Sequence, residues 1–361
     1  MEKIRKEFPV LKRSIYVNTP VFGPLYDSLL QWRQEHDLDF LLRASEMRTK
    51  SLALISDTRT TVGQYFGCKR ENVALLNNFS SGLNMLLEGL DKSQKVLLLE
   101  NDYPSVDWPF QTRGFQISHV KIDENLESTI LEAIQKENIS ILALSLVQWQ
   151  NGIKIDLDFL KNLKRDFPQV MIIADGTQFL GTTNFDFENS AIDVLGASAY
   201  KWLLSGYGNG FMLFKDTVKD TCELRTIGFN AANAVPDKKD QIRFARRFEP
   251  GHLSCLNFGS LKFSLKFLEQ IGKEKIEAQN QKLSQIAKEE FAKLGLLENM
   301  VTRRKEHSTI FNIKGDDTLF NHLTAEGVVC AQRGDGIRLG FHFYNTENEL
   351  KEVITILKKS L

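Results

Sequence analysis

From Val73 onward the sequence alternates short apolar runs with amphipathic stretches of helical length, and this alternation constrains the fold more than any other feature. Apolar runs occupy residues 73–76, 95–99, 116–121, 141–147, 170–174, 194–197 and 210–214. Helical patterns at 81–90, 126–135 and 157–165 lie between them. Strands separated by helices are the mark of a mainly parallel sheet covered on both faces. The chain is therefore predicted to be α/β, with a large domain built on a seven-stranded, mainly parallel sheet. Residues 25–65, ahead of this core, read as two helices with hydrophobics at three- and four-residue spacing.

The pattern changes near Gly251. Residues 256–269 and 273–294 read as long helices rich in Lys and Glu. A strand at 308–313, a helix at 318–326, strands near Val328 and Ile337, and a final helix at 347–359 follow. That order predicts a smaller α+β domain at the C-terminal end. A chain of 361 residues suits two domains at about 150 residues each. The expected division is 16–255 and 256–361, with residues 1–15 packing on the second.

Composition excludes several classes of function. Lys+Arg and Asp+Glu are 46 each, so the net charge is zero and no general attraction to nucleic acid or anionic membrane is expected. A hydrophobic share of 42% argues against disorder. The longest apolar stretch, 139–147, is far too short to span a bilayer. The first residues carry charges of both signs without an apolar run, so no signal peptide is read and a cytoplasmic location is expected. Cys68, Cys222, Cys255 and Cys330 are scattered, with no CxxC and no metal-ligand spacing.

Two segments can carry chemistry. In Met171-Ile-Ile-Ala-Asp-Gly-Thr-Gln178 an apolar strand ends in Asp175. The carboxyl ends of parallel strands face the ligand crevice, which places Asp175 and Gln178 over a site. A plain strand-end turn accounts for Asp-Gly equally well. In Ser198-Ala-Tyr-Lys-Trp202, Lys201 stands between two aromatics. Desolvation there would lower its pKa and suit it to Schiff-base chemistry. Taken alone, a lysine with its stem on aromatics and its head in water is the commoner case.

Together the segments are far more specific. An aspartate at a strand end with a lysine 26 residues later, beyond one more strand, resembles fold-type I pyridoxal phosphate enzymes. Within them the chain is similar to the class V aminotransferase family, which also holds cysteine desulfurases, selenocysteine lyases, kynureninases and isopenicillin N epimerases. The resemblance runs from Tyr16-Val-Asn-Thr-Pro20 to His342-Phe-Tyr-Asn-Thr346.

The resemblance implies pyridoxal phosphate as cofactor and a role for each matching residue. Lys201 matches the lysine that carries the cofactor and moves the substrate's α-proton. Asp175 matches the carboxylate against the pyridine nitrogen, and Gln178 the partner of the ring hydroxyl. Asn78, Phe79 and Ser80, between a strand and a helix, match the phosphate loop, Phe79 through its backbone. A helix cap at Asn78 or Ser80 is compatible with that role. Ser198 and Tyr200 match the phosphate ligands before the lysine.

Tyr103, in Asn101-Asp-Tyr-Pro-Ser105, matches the aromatic stacked over the ring and counts as catalytic with Lys201 and Asp175; a core tyrosine is the alternative. Arg338 matches the arginine that forks onto a substrate carboxylate, with Thr19 and Trp149 beside the substrate. His252, in Phe248-Glu-Pro-Gly-His252, falls where the family reaches across a homodimer interface to a neighbour's phosphate. A structural histidine is the simpler reading there.

Desulfurases attack sulfur with a cysteine on a flexible loop, whereas Cys330 lies in an apolar run before the short turn 331–335. It reads as a small buried hydrophobe. The main expectation is an aminotransferase-like enzyme acting on the α-amino group of a small amino acid. A lyase without a persulfide cysteine, or an amino-acid epimerase, shares the same apparatus. A non-catalytic binding protein of this fold is the distant alternative.

Overall fold

The computed structural model describes residues 2–233 and 235–360. Its centre is a seven-stranded sheet in the order Val73–Leu76, Gly210–Phe214, Val194–Ser198, Met171–Asp175, Ile141–Ser145, Lys95–Leu99, Gln116–Val120. Gly210–Phe214 pairs antiparallel with both its neighbours, and the other pairings are parallel. Side chains alternate strictly across this sheet. Leu97, Leu99, Leu142, Leu144, Ile172 and Leu195 join one apolar core, whereas Val96, Leu98, Ile141, Ala143, Ile173 and Val194 join the other. Both faces are thus buried, which is why these runs read as continuously apolar.

Helices Asp27–Arg43 and Met47–Phe66 precede the sheet, and Cys255–Ile271 packs along the second of them. A three-stranded antiparallel sheet follows, ordered Ala331–Arg333, Gly336–Gly340, Ile310–Lys314. The N-terminal segment is tied to this second sheet region. Ile15–Tyr16 pairs in parallel with Val328–Val329, Asn18 bridges to Gly340, and Arg5 forms an ion pair of 2.8 Å with Glu349.

Three details differ from the sequence expectation. The helix read from Ser81 begins at Phe79, because the Asn78 side chain accepts the Ser81 N–H at 2.9 Å and caps it. Pro104–Gln111 is a helix that the hydrophobic spacing did not indicate; Pro104 occupies its first turn, where a missing N–H costs nothing. In place of the short turn expected over 331–335, Ala331–Arg333 is a strand and only Gly334 and Asp335 turn the chain. No helix among the described residues is long and apolar enough to cross a membrane.

Candidate active site

The carboxyl ends of the parallel strands converge on one cavity of about 640 Å³. Asp175, Ser145 and Ser198 are the last residues of their strands, and Asn78, Tyr103 and Lys201 follow within four residues of theirs. All six line the cavity, together with Phe79, Ser80, Trp149, Gln178, Tyr200 and His252.

Lys201 is 7% exposed and sits in the turn after Val194–Ser198. Its Nζ lies 5.7 Å from the ring centre of Tyr103 and 5.6 Å from that of Tyr200. Burial pulls its pKa down to about 8, against the opposing pull of Asp175. The Arg338 charge adds to the lowering. Asp175 is pushed up to about 6 by burial, while the Thr177 hydroxyl and N–H and the Lys201 charge hold it down. The Thr177 N–H donates to its carboxylate at 2.8 Å. The lysine's backbone is clamped from the N-terminal segment. Gly23 N–H donates to Tyr200 O at 2.9 Å, and a Cβ on Gly23 would stand 1.9 Å from Lys201 O.

The first turn of Phe79–Glu88 faces the same space. Phe79 N–H donates to Ser198 Oγ at 3.0 Å and Ser81 N–H to Asn78, so the Ser80 N–H is left without a partner among the described residues. Ser80 Oγ lies 2.8 Å from Ser105 Oγ. Phe79 itself folds over Gly196, where a Cβ would come within 2.7 Å of its ring. A free N–H at a helix start with hydroxyls around it is an anion cradle.

Tyr103 meets Trp149 edge-on at 6.0 Å between ring centres. Two further residues, given no such role from the sequence, hold groups that line the cavity. Asp102, fully buried, accepts Tyr103 N–H at 2.6 Å and Ser145 N–H at 2.8 Å, and burial pushes its pKa up. Trp202 donates its indole N–H to Gln178 Oε1 at 2.7 Å. Neither role has a signal in the local sequence, since each depends on contacts made across the fold.

Arg338 and Thr19 do not line the cavity. Arg338 is 3% exposed, its Nη1 donates to Trp149 O at 2.6 Å, and no carboxylate pairs with it among the described residues. Burial draws its pKa down to about 10, with the Arg333 charge adding to this and Tyr103 and Tyr200 opposing it. Thr19 is fully buried with its hydroxyl bonded to that of Tyr344. The next residue reaches the site instead: Pro20 O accepts from Gln178 Nε2 at 3.0 Å. His252 is exposed and lines the cavity of its own chain. Its segment is anchored by Glu249, which is fully buried, bonded to Arg59 at 2.6 Å and to Arg246, and accepts Leu75 N–H at 2.9 Å.

Comparison with known proteins agrees with this geometry. The profile of the aminotransferase class-V family matches residues 42–353. An uncharacterized aminotransferase of Schizosaccharomyces pombe is 24% identical, over 100% of this chain and 96% of its own. A probable cysteine desulfurase of Methanothermobacter thermautotrophicus is 19% identical, over 97% and 95%. Among solved structures, a cysteine desulfurase from Thermococcus onnurineus superposes with a TM-score of 0.86 at 18% identity, covering 99% of this chain and 97% of that one. A cystine C-S lyase superposes with a TM-score of 0.85 at 17% identity, covering 96% and 98%. The chain belongs to the class-V aminotransferase family and has the fold-type I architecture. It is a pyridoxal phosphate-dependent enzyme, a transferase or lyase.

Proposed function

We propose that this enzyme takes the α-amino group of a small amino acid in the manner of an aminotransferase, with Lys201, Asp175 and Arg338 as its working residues. The residues of the cavity fit pyridoxal phosphate. The free Ser80 N–H and the hydroxyls of Ser80 and Ser198 suit a phosphate, and Asp175 suits a protonated ring nitrogen. When bound, that cofactor acts as an electron sink for charge developing at the substrate's α-carbon. Lys201 would hold the cofactor, and its amine, released by the substrate's own, would move the α-proton. Asp175 would set a negative charge against the ring, and Tyr103 would cover one ring face. Tyr200 would narrow the phosphate end, and Asn78 caps the helix that faces it.

The observation that carries the reading is two buried cations short of counter-charge, Lys201 lining the cavity and Arg338 close to it. Among the described residues Lys201 has Asp175 as its counter-charge, and no carboxylate pairs with the nearby Arg338 guanidinium. A buried guanidinium without a partner is costly unless an anion completes it. A substrate α-carboxylate is the anion proposed, taken up by Arg338 beside Trp149. Several relatives carry the name cysteine desulfurase, but no cysteine lines this cavity among the described residues. Cys330 is 9% exposed, and burial pushes its thiol up to about 11, far from a reactive thiolate.

We further propose a cytoplasmic homodimer in which 16–255 form the cofactor-binding domain and 256–361, with residues 1–15, the smaller one. Leu38, Leu41 and Leu42 are 53%, 79% and 72% exposed on Asp27–Arg43, an apolar face suited to a second copy. Sedimentation of Leu41→Glu/Leu42→Glu tests this face; an unchanged dimer would exclude it. The activity is tested by mixing the loaded enzyme with single amino acids and no keto acid. Release of one keto acid per site, with the amino group retained on the protein, supports transamination. Cleavage or inversion of the amino acid instead would overturn it in favour of a lyase or an epimerase.

A further inference from the structure

Gln178 sits between two groups of fixed hydrogen-bonding polarity. The Trp202 indole N–H can only donate, and it meets Gln178 Oε1 at 2.7 Å. The Pro20 carbonyl can only accept, and it takes one N–H of Gln178 Nε2 at 3.0 Å. The amide therefore has a single orientation, because the flipped one would set donor against donor and acceptor against acceptor. Gln178 lines the cavity, and with Oε1 held by the indole N–H its second Nε2–H is the donor left to serve it. Trp202 is itself held rigid: it is 1% exposed, its carbonyl lies 3.1 Å from His342 Nε2, and the two rings meet edge-on at 5.0 Å. The imidazole is fixed in turn, with Asn280 Nδ2 at 3.5 Å from its Nδ1, so that Nε2 carries the proton.

We propose that Trp202 is a positioning residue that locks Gln178 as a one-way donor, so that the cavity selects a hydrogen-bond acceptor, an ionised ring oxygen, at that position. The inference rests on the pyridoxal phosphate reading and adds what the site demands of the ring.

The probes are 4-deoxypyridoxine 5′-phosphate, which cannot react with Lys201, and the same compound with its ring hydroxyl replaced by hydrogen. Each is titrated into the full-length, cofactor-free protein and followed by tryptophan fluorescence. The wild type should prefer the hydroxylated probe by about ten- to hundredfold, the range for a hydrogen bond to a charged acceptor. In Trp202→Phe that preference should fall by about three- to tenfold. A role in packing alone would weaken both probes equally and leave the ratio intact, which would overturn the proposal. Gln178→Glu, nearly the same shape, should bring the ratio to one or below; a ratio unchanged there overturns the proposal even if Trp202→Phe does not fold. Wild-type protein that binds neither probe would refute the cofactor reading itself, whereas equal binding of both would refute this inference alone.

Discussion

The lowered pKa of Lys201 predicts how fast the cofactor-free protein captures pyridoxal phosphate at each pH. Only the neutral amine attacks a carbonyl. An ordinary lysine at 10.5 is neutral in roughly three molecules per ten thousand at pH 7. Burial brings Lys201 to about 8, which raises that share to about one in ten, a gain of roughly 300-fold. The capture rate should climb about tenfold between pH 6 and 7 and flatten above about 8. Asp175 opposes the lowering, so Asp175→Asn removes the charge that keeps the ammonium in place and moves the break to lower pH. The rate is read from the absorbance of protein-bound cofactor after rapid mixing. Dividing by the profile of a soluble amine, first corrected for that amine's own neutral fraction, removes the cofactor's own titration. A break near 10.5 would mean that Lys201 is solvated, and the argument from burial would fail. A break that rises in Asp175→Asn would show that the carboxylate acts on the lysine with the opposite sign.

Other perturbations separate positioning from chemistry. Glu249→Ala leaves Arg59 and Arg246 without their buried partner, and should lower stability by about 3–5 kcal/mol in urea unfolding. Gly23→Ala drives a methyl into Lys201 O, 1.9 Å from the ideal Cβ position. It should cost about 1–3 kcal/mol and weaken cofactor binding, checked by titration of the visible absorbance. Arg338→Gln should raise KM for amino acids by about tenfold or more while leaving cofactor affinity unchanged, because the guanidinium is proposed to meet only the substrate. Cys330→Ala should keep full turnover and lose about 1 kcal/mol of stability; loss of turnover would restore a thiol mechanism.

The lining of the cavity was legible in the sequence wherever residues stand at or just past a strand end. Asp175 and Ser198 each terminate an apolar run, Lys201 lies three residues past the second, and the helix start at Phe79 follows a third. In a parallel sheet those ends share one edge, so linear position translates directly into location at the cavity. Groups joined only by the fold carried no such mark. Pro20 acts through a carbonyl that every residue possesses, in a turn closed by Val21 N–H on Asn18 O at 3.0 Å, while the hydroxyl of its neighbour Thr19 bonds Tyr344. Nothing in the local sequence marks Asp102 and Trp202 for these roles, since only tertiary packing sets one beneath Tyr103 and the other against Gln178. The division has a physical origin. Groups that carry charge toward the cavity must be of a particular chemical type and so show in the sequence. The groups that aim them need only a donor or an acceptor at the right place, which many residues can supply. The aiming groups are also what distinguishes this cavity from another with the same lysine and aspartate. Trp202, Asp102 and Pro20 are therefore where selectivity in this enzyme is to be sought.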